Sequence, residues 1–313
     1  MLSFFPKLYP DELLYSGLAR YHIRSGNKSF RQSHLELFQS SLQKGRLILP
    51  NNLNKLIKIL PFGTSITIEN IIQGHTLYPF YTTFLTQNEA WLLKDVMKKQ
   101  VNQSIFQVAK VALNSTDNLK FLRFCPLCLE EDMKNYGEAY WHRTHQFPSV
   151  MVCAIHNVLL YDSLVSLKSA GINYYAAHLG NCLINQQNND NTEQFLQQLL
   201  MIARTTCELI NLNFSFKGLA WLRSQYKSYL VKQKFMSLLP GGKFIFQDQY
   251  FSDCMVDFYG YNCLKAINPN LLKKPDTFFI NCLLSCDMNQ VIDRTTHILI
   301  IKFLATSIED FFK

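Results

Sequence analysis

Residues 125–156, CPLCLEEDMKNYGEAYWHRTHQFPSVMVCAIH, decide how this chain is read. The stretch opens with Cys125-Pro126-Leu127-Cys128 and closes with Cys153-Ala154-Ile155-His156, with 24 residues between the pairs. Each C-x2-C or C-x2-H pair can wrap one edge of a small cation, so two pairs complete a tetrahedron of sulfur and imidazole ligands. Three thiolates and one imidazole suit Zn²⁺, and four protein ligands leave no open position for a catalytic water. The spacing therefore predicts one structural zinc site on Cys125, Cys128, Cys153 and His156. The competing reading is four unrelated core residues, since free Cys packs as a small hydrophobe. Two tight pairs inside one short segment argue against it.

Within the segment, the alternation after Gly137 suits a strand. On a strand, the three-residue spacing of His142 and His145 would put them on opposite faces, so they are read as non-ligands. His178 and Cys182 form a weaker pair, and Cys254, Cys263, Cys282 and Cys286 are scattered. A second metal site among them stays open, with buried structural Cys as the preferred reading.

N-terminal to the segment the chain reads as helical. A helix over 11–24 follows Pro10, with Asp11 and Glu12 in its first turn, a stripe of Leu14, Leu18, Tyr21 and Ile23, and an end at Gly26. A second helix is expected from Phe30 to about Gln43, stopped by Gly45. A third spans Leu53 to Leu60, closed by Pro61. Thr67 starts a fourth, which Pro79 interrupts. Helical patterns resume over 87–101 and 103–114, and Lys120–Phe124 reads as a strand delivering Cys125. His75 is read as a hydrogen-bonded packing residue.

Beyond Cys182 the polar INQQNNDNTE reads as a linker. Helices are then expected over 193–213, 218–234, 248–266, 275–286 and 295–311. On the second of these, Lys227 and Lys234 lie two turns apart and share a side. The fold class is mainly α with a small zinc-binding α/β element. An N-terminal helical, helix-turn-helix-like region covers 1–119 and a zinc finger or ribbon covers 120–181. A linker over 182–192 leads to a C-terminal all-α, helix-turn-helix-like region over 193–313.

Composition narrows the function classes. The chain has 313 residues and a formal net charge of +8, with 48% hydrophobic residues, which argues for packed cores. Residues 1–124 carry 15 Lys/Arg against 7 Asp/Glu, residues 125–200 carry 3 against 7, and residues 201–313 carry 13 against 9. Basic flanks around an acidic metal segment suit two polyanion contacts, although ordinary solvated surface has the same composition. No run of 18 apolar residues is present, and nine Cys without a secretory signal fit a reducing, cytoplasmic setting.

Several separated stretches together resemble the TniQ/TnsD family, target-selection proteins of transposons with a multi-component transposase. They are FPKLYPDELLYSGLARYHIRSGN, GHTLYPFYTTF, the segment CPLC…YGEAYWHRTHQFPSVMVCAIH and THILIIKFLATSIEDFF. The resemblance implies a protein with no catalytic centre of its own, located in the bacterial cytoplasm at the nucleoid. Such a protein binds double-stranded target DNA and recruits the AAA+ ATPase TnsC, which positions the transposase. It places the metal role on Cys125, Cys128, Cys153 and His156. It leaves Arg20, Arg24, Arg31, Arg223, Lys227 and Lys234 as candidates for phosphate contact, which would position the protein rather than read sequence. The chain stops just after the family's shared core, where longer site-specific members continue.

Two function classes follow. One is a direct DNA reader. The other is a dimeric adaptor linking an RNA-guided Cascade complex to the ATPase, with little DNA specificity of its own. A zinc deaminase reading rests on His34-Leu35-Glu36 and the Cys pair, but Phe124 stands where the deaminase motif needs Pro, and Cys153 and His156 already complete the tetrahedron.

Overall fold

Several of the helices begin where a short polar side chain takes up a free amide of the first turn. The computed structural model describes residues 1–39, 47–99, 104–110, 119–170, 173–184, 192–212, 216–240, 244–272 and 292–313. In it α1 spans Leu14–Ser25 and ends on Gly26, whose φ of 68° is open to glycine at no steric cost. Ser29 caps α2 (Phe30–Phe38), and α3 covers Leu53–Ile59. Reciprocal capping boxes, Thr67 with Asn70 and Thr86 with Glu89, open α4 (Ile68–Gly74) and α6 (Gln87–Lys98). Between them lies α5 (Tyr78–Thr82), and α7 (Ile105–Val108) follows.

Several local expectations differ from the structure. Asp11 and Glu12 precede α1 instead of forming its first turn: Asp11 adopts φ 54° and Glu12 bridges to His142. Ile23 is 62% exposed and lies off the buried stripe. Pro79 breaks no helix, because α4 has already ended and Pro79 sits in the first turn of α5, where its missing amide costs nothing. Of the helix expected over 103–114, the described residues 104–110 show the single turn α7, after which Lys110 turns left-handed at φ 53°. The helix from Phe30 ends at Phe38, where Gln39 turns left-handed at φ 50°, short of the expected Gln43; Gln43 and Gly45 lie outside the described residues.

The central segment contains β1 (Phe121–Phe124) and β2 (Tyr161–Ser166), paired antiparallel, with α8 (Pro126–Tyr136) between them and α9 (Leu167–Ala170) after them. The expected strand after Gly137 is reduced to an isolated bridge. Leu13 N–H donates to Trp141 O, Arg143 N–H donates to Asp11 O, and the chain then coils into a 3-10 turn over Thr144–Gln146. The partner strand β2 went unforeseen.

C-terminally, α10 (Glu193–Asn211) and α11 (Gly218–Lys232) follow the expected pattern. The region is not all-α, however. Phe235 folds back onto Leu230, and β3 (Met236–Leu238) pairs antiparallel with β4 (Phe244–Phe246). Two helices expected to be continuous are broken. Gly260 at φ 74° divides α12 (Asp248–Tyr259) from α13 (Tyr261–Ile267), and the chain opens after Leu304 between α14 (Arg294–Leu304) and α15 (Ile308–Phe312). The expected helix over 275–286 lies outside the described residues. The architecture is mainly helical with a small α/β element holding the cysteines.

One hydrophobic core runs from Leu13 and Phe80 through Trp141 and Phe147 to Ile202 and Ile300. Polar ties cross it as well. Fully buried Arg294 donates to the carbonyls of Tyr81 and Ala109, and Ser149 and Thr206 share a hydrogen bond of 2.8 Å. Among the described residues no helix is long and apolar enough to cross a membrane.

Candidate metal centre

The two halves of the centre come from different local structures. Strand β1 carries the chain to Cys125, which stands at the N-cap of α8, and Pro126 fits the first turn that follows. Cys128 therefore projects from the first turn of a helix. The second pair sits in a tight turn: Cys153 N–H donates to Val158 O, Asn157 N–H donates to Cys153 O, and Asn157 takes φ 58°. The Val152–Leu159 bridge holds the stem of that turn.

The ligand atoms of Cys125, Cys128, Cys153 and His156 all lie within 4.8 Å of one another, and the three cysteines are buried. His156 Nδ1 is 3.5 Å from Cys125 Sγ, 3.3 Å from Cys128 Sγ and 3.7 Å from Cys153 Sγ. Cys128 Sγ and Cys153 Sγ are 3.7 Å apart. A tetrahedral zinc ion with ordinary bond lengths would set S–S edges of about 3.8 Å and S–N edges of about 3.6 Å. The donor set fits a single tetrahedral cation, and the protein could hold a metal ion there.

The electrostatics agree with that fit. Hydrogen bonds from Cys125 and Cys128 hold the Cys153 thiol far below the ordinary thiol range. Cys128 is pushed far up by Cys125 and Cys153 together. For Cys125 the Cys128 hydrogen bond pulls downward, but Cys153 and burial outweigh it and carry the thiol to about 11. Three sulfurs at this spacing crowd their protons, and a cation at the centre would replace them. His156 turns its other nitrogen, Nε2, to Glu131 Oε1 at 3.1 Å. Burial opposes protonation of His156, yet Glu131 and Cys153 raise its pKa above the ordinary value. A carboxylate behind a ligating imidazole fixes its orientation and strengthens it as a donor.

Sequence reasoning missed Glu131 and misjudged the surroundings of His145. Glu131 stands three residues after Cys128 on α8, so the pair shares a helix face, and that spacing could have revealed it. His145 lies in the 3-10 turn, and His142 stands before it in the bridge to Glu12. Their rings are 4.8 Å apart, and both reach the neighbourhood of Cys128. His142 Nε2 pairs with buried Asp132 Oδ2 at 2.9 Å, while His145 Nε2 meets Cys128 Sγ at 3.8 Å. Burial lowers the pKa of His145 below the ordinary imidazole value.

Among the described residues, the remaining Cys and His candidates are not gathered into a further cluster. His178 Nδ1 accepts from the Gly180 amide, and burial raises Cys182 to about 12. Cys254 and Cys263 join neither of the clusters found among the described residues, and Cys282 and Cys286 lie outside those residues. His75 is a packing residue as expected, its Nδ1 2.6 Å from Glu12 O.

The phosphate candidates separate sharply. Arg20 is corrected: its side chain is 2% exposed and grips Glu12 and Glu138. Its guanidinium also donates to Lys7 O and lies 4.1 Å above the Tyr9 ring, so it has no face for DNA. Arg24 is 46% exposed but paired to the same Glu138. Arg31, Lys227 and Lys234 are exposed, and Arg223 is half-buried on α11. Lys227 and Lys234 do not share a helix side, because α11 ends at Lys232 and Lys234 turns left-handed at φ 64°.

A family model described as TniQ matches residues 3–160, which takes in the N-terminal helices and the whole Cys/His cluster. Over 157 residues the chain is 27% identical to the Escherichia coli protein described as transposon Tn7 transposition protein TnsD. That match covers 50% of this chain and 31% of the relative, so the chain spans about a third of the relative's length.

Proposed function

The chain belongs to the TniQ family, and from that membership we propose that it is a target-selection protein for transposition that binds DNA at the insertion site and recruits a TnsC-type AAA+ ATPase. The observation that carries this reading is the family match over residues 3–160, which includes both ligand pairs and the helices packed around them. The relative's description as a transposition protein supports the same role. The cation of the centre is zinc, held by Cys125, Cys128, Cys153 and His156, because a set of soft sulfurs plus imidazole at tetrahedral spacing selects it. With all four positions taken by protein, the ion braces the fold and performs no chemistry. The protein works in the bacterial cytoplasm at the nucleoid.

Phosphate contacts fall to Arg31, Lys227 and Lys234, which are exposed. The loss of Arg20 to an internal ion pair favours a second reading, in which the chain is a dimeric adaptor between an RNA-guided Cascade complex and the ATPase. Gel-shift titration on target and scrambled duplexes at two salt concentrations separates the two. The direct reader gives a shift that weakens steeply with salt, and each lost phosphate contact lowers the log–log slope by about 0.9. Arg31→Glu and Lys227→Glu should each flatten that slope. A protein that captures the ATPase yet gives no shift at low salt is the adaptor.

A further inference from the structure

Five donors surround a centre that has room for four. His156 Nδ1 lies 3.3–3.7 Å from all three sulfurs, the edge lengths of a coordination tetrahedron. His145 is different: it is 3% exposed and groups with Cys128 and His142 rather than with the four-residue set, and its Nε2 meets Cys128 Sγ at 3.8 Å, within hydrogen-bond reach of sulfur. A thiolate bound to a cation has no proton to give, so in this contact the imidazole must be the donor. We propose that His145 is a positioning residue that donates its Nε2–H to the Cys128 thiolate and thereby slows loss of the metal.

The physical need is plain. Three thiolates around a dication leave the buried centre with a net negative charge, and the segment around it is itself acidic. A thiolate's lone pairs are where acid and electrophiles attack a zinc–cysteine site. An N–H donor aimed at one sulfur withdraws part of that charge and blocks that approach, and such partners affect metal affinity by about 10- to 100-fold. The 3-10 turn is what allows it, because it brings His145 round to the sulfur while His142 is held by Asp132.

This inference rests on the zinc reading of the cluster, and the experiment separates the two. The full chain and its His145→Phe and His145→Gln variants are loaded with zinc and assayed for metal content. Transfer of zinc to a chromophoric chelator and alkylation of Cys128 by iodoacetamide are then timed. All three proteins should carry about one zinc per chain. His145→Phe should release it about tenfold faster, with faster alkylation of Cys128. His145→Gln should stay near the parent rate, because its amide N–H falls close to the position of Nε2. If the Phe variant does not fold, His145→Asn replaces it, since its shorter amide cannot reach the sulfur; it should be fast where Gln is slow. Equal release rates would overturn the proposal, as would a His145 variant that cannot bind zinc at all, which would make His145 a ligand. A parent chain without stoichiometric zinc would overturn the zinc reading and this inference together.

Discussion

Replacing Arg20 with Met discriminates between what this side chain could do in a basic sequence and what it does in the folded protein. Arg20 Nε and Nη2 meet the two Glu12 oxygens at 2.9 and 2.6 Å, and Nη1 meets Glu138 at 2.8 Å. Glu12 is 0% exposed. Met fills similar volume, but it leaves the Glu12 carboxylate with the Tyr9 amide, at 2.8 Å, as its remaining hydrogen bond among the described residues. Stranding one member of a buried pair costs about 3–5 kcal/mol, most of it the desolvation of the abandoned charge. Glu12→Gln in the same background removes that charge, so the double variant should recover about 2 kcal/mol relative to the sum of the single losses. Urea unfolding followed by circular dichroism and tryptophan fluorescence at pH 7 measures each term. An Arg20→Met protein within about 0.5 kcal/mol of the parent, with uniformly weaker DNA binding, would refute the reasoning and return Arg20 to the phosphate-contacting set.

Two further outcomes are expected. Cys128→Ser should lower bound metal well below one ion per chain and loosen residues around the centre, measured by metal analysis and hydrogen exchange; a variant that keeps full metal content removes Cys128 from the ligand set. Burial, with Arg223 and Arg294 nearby, pushes the buried His297 down from 6.5 to about 3. The unfolded chain therefore binds a proton that the folded one refuses, and stability should fall as the pH drops from about 6.5 toward 3, with no contribution above that window. His297→Asn should flatten this acid limb by up to about one proton, and an unchanged slope in pH-dependent urea midpoints would contradict the burial argument.

Much of the fold was legible because its signals are short. The helix start at Thr67 and the glycine stop at Gly26 each lie within about one helical turn of the residues they control. The breaks were less legible. Gly260 and the opening after Leu304 divide stretches whose apolar pattern continues across them, and β2 has a partner 37 or more residues away in β1. The Cys/His pairs that gather into the cluster were visible from spacing, whereas His145 was misplaced because its stretch was read as a strand and folds as a 3-10 turn.

The sequence by itself determined the family and the two Cys/His pairs, because a C-x2-C or C-x2-H pair is encoded within four residues and needs no knowledge of the rest of the chain. Only the tertiary structure decided how those pairs meet, which imidazole faces the sulfurs as a tetrahedral neighbour and which stands behind one of them. It alone decided the fate of the charges: Arg20 is exposed or buried according to Glu12, eight residues away, and Glu138, 118 residues away. Ligand spacing is a local property of the chain, while the environment of a charge is set by whatever the fold packs against it.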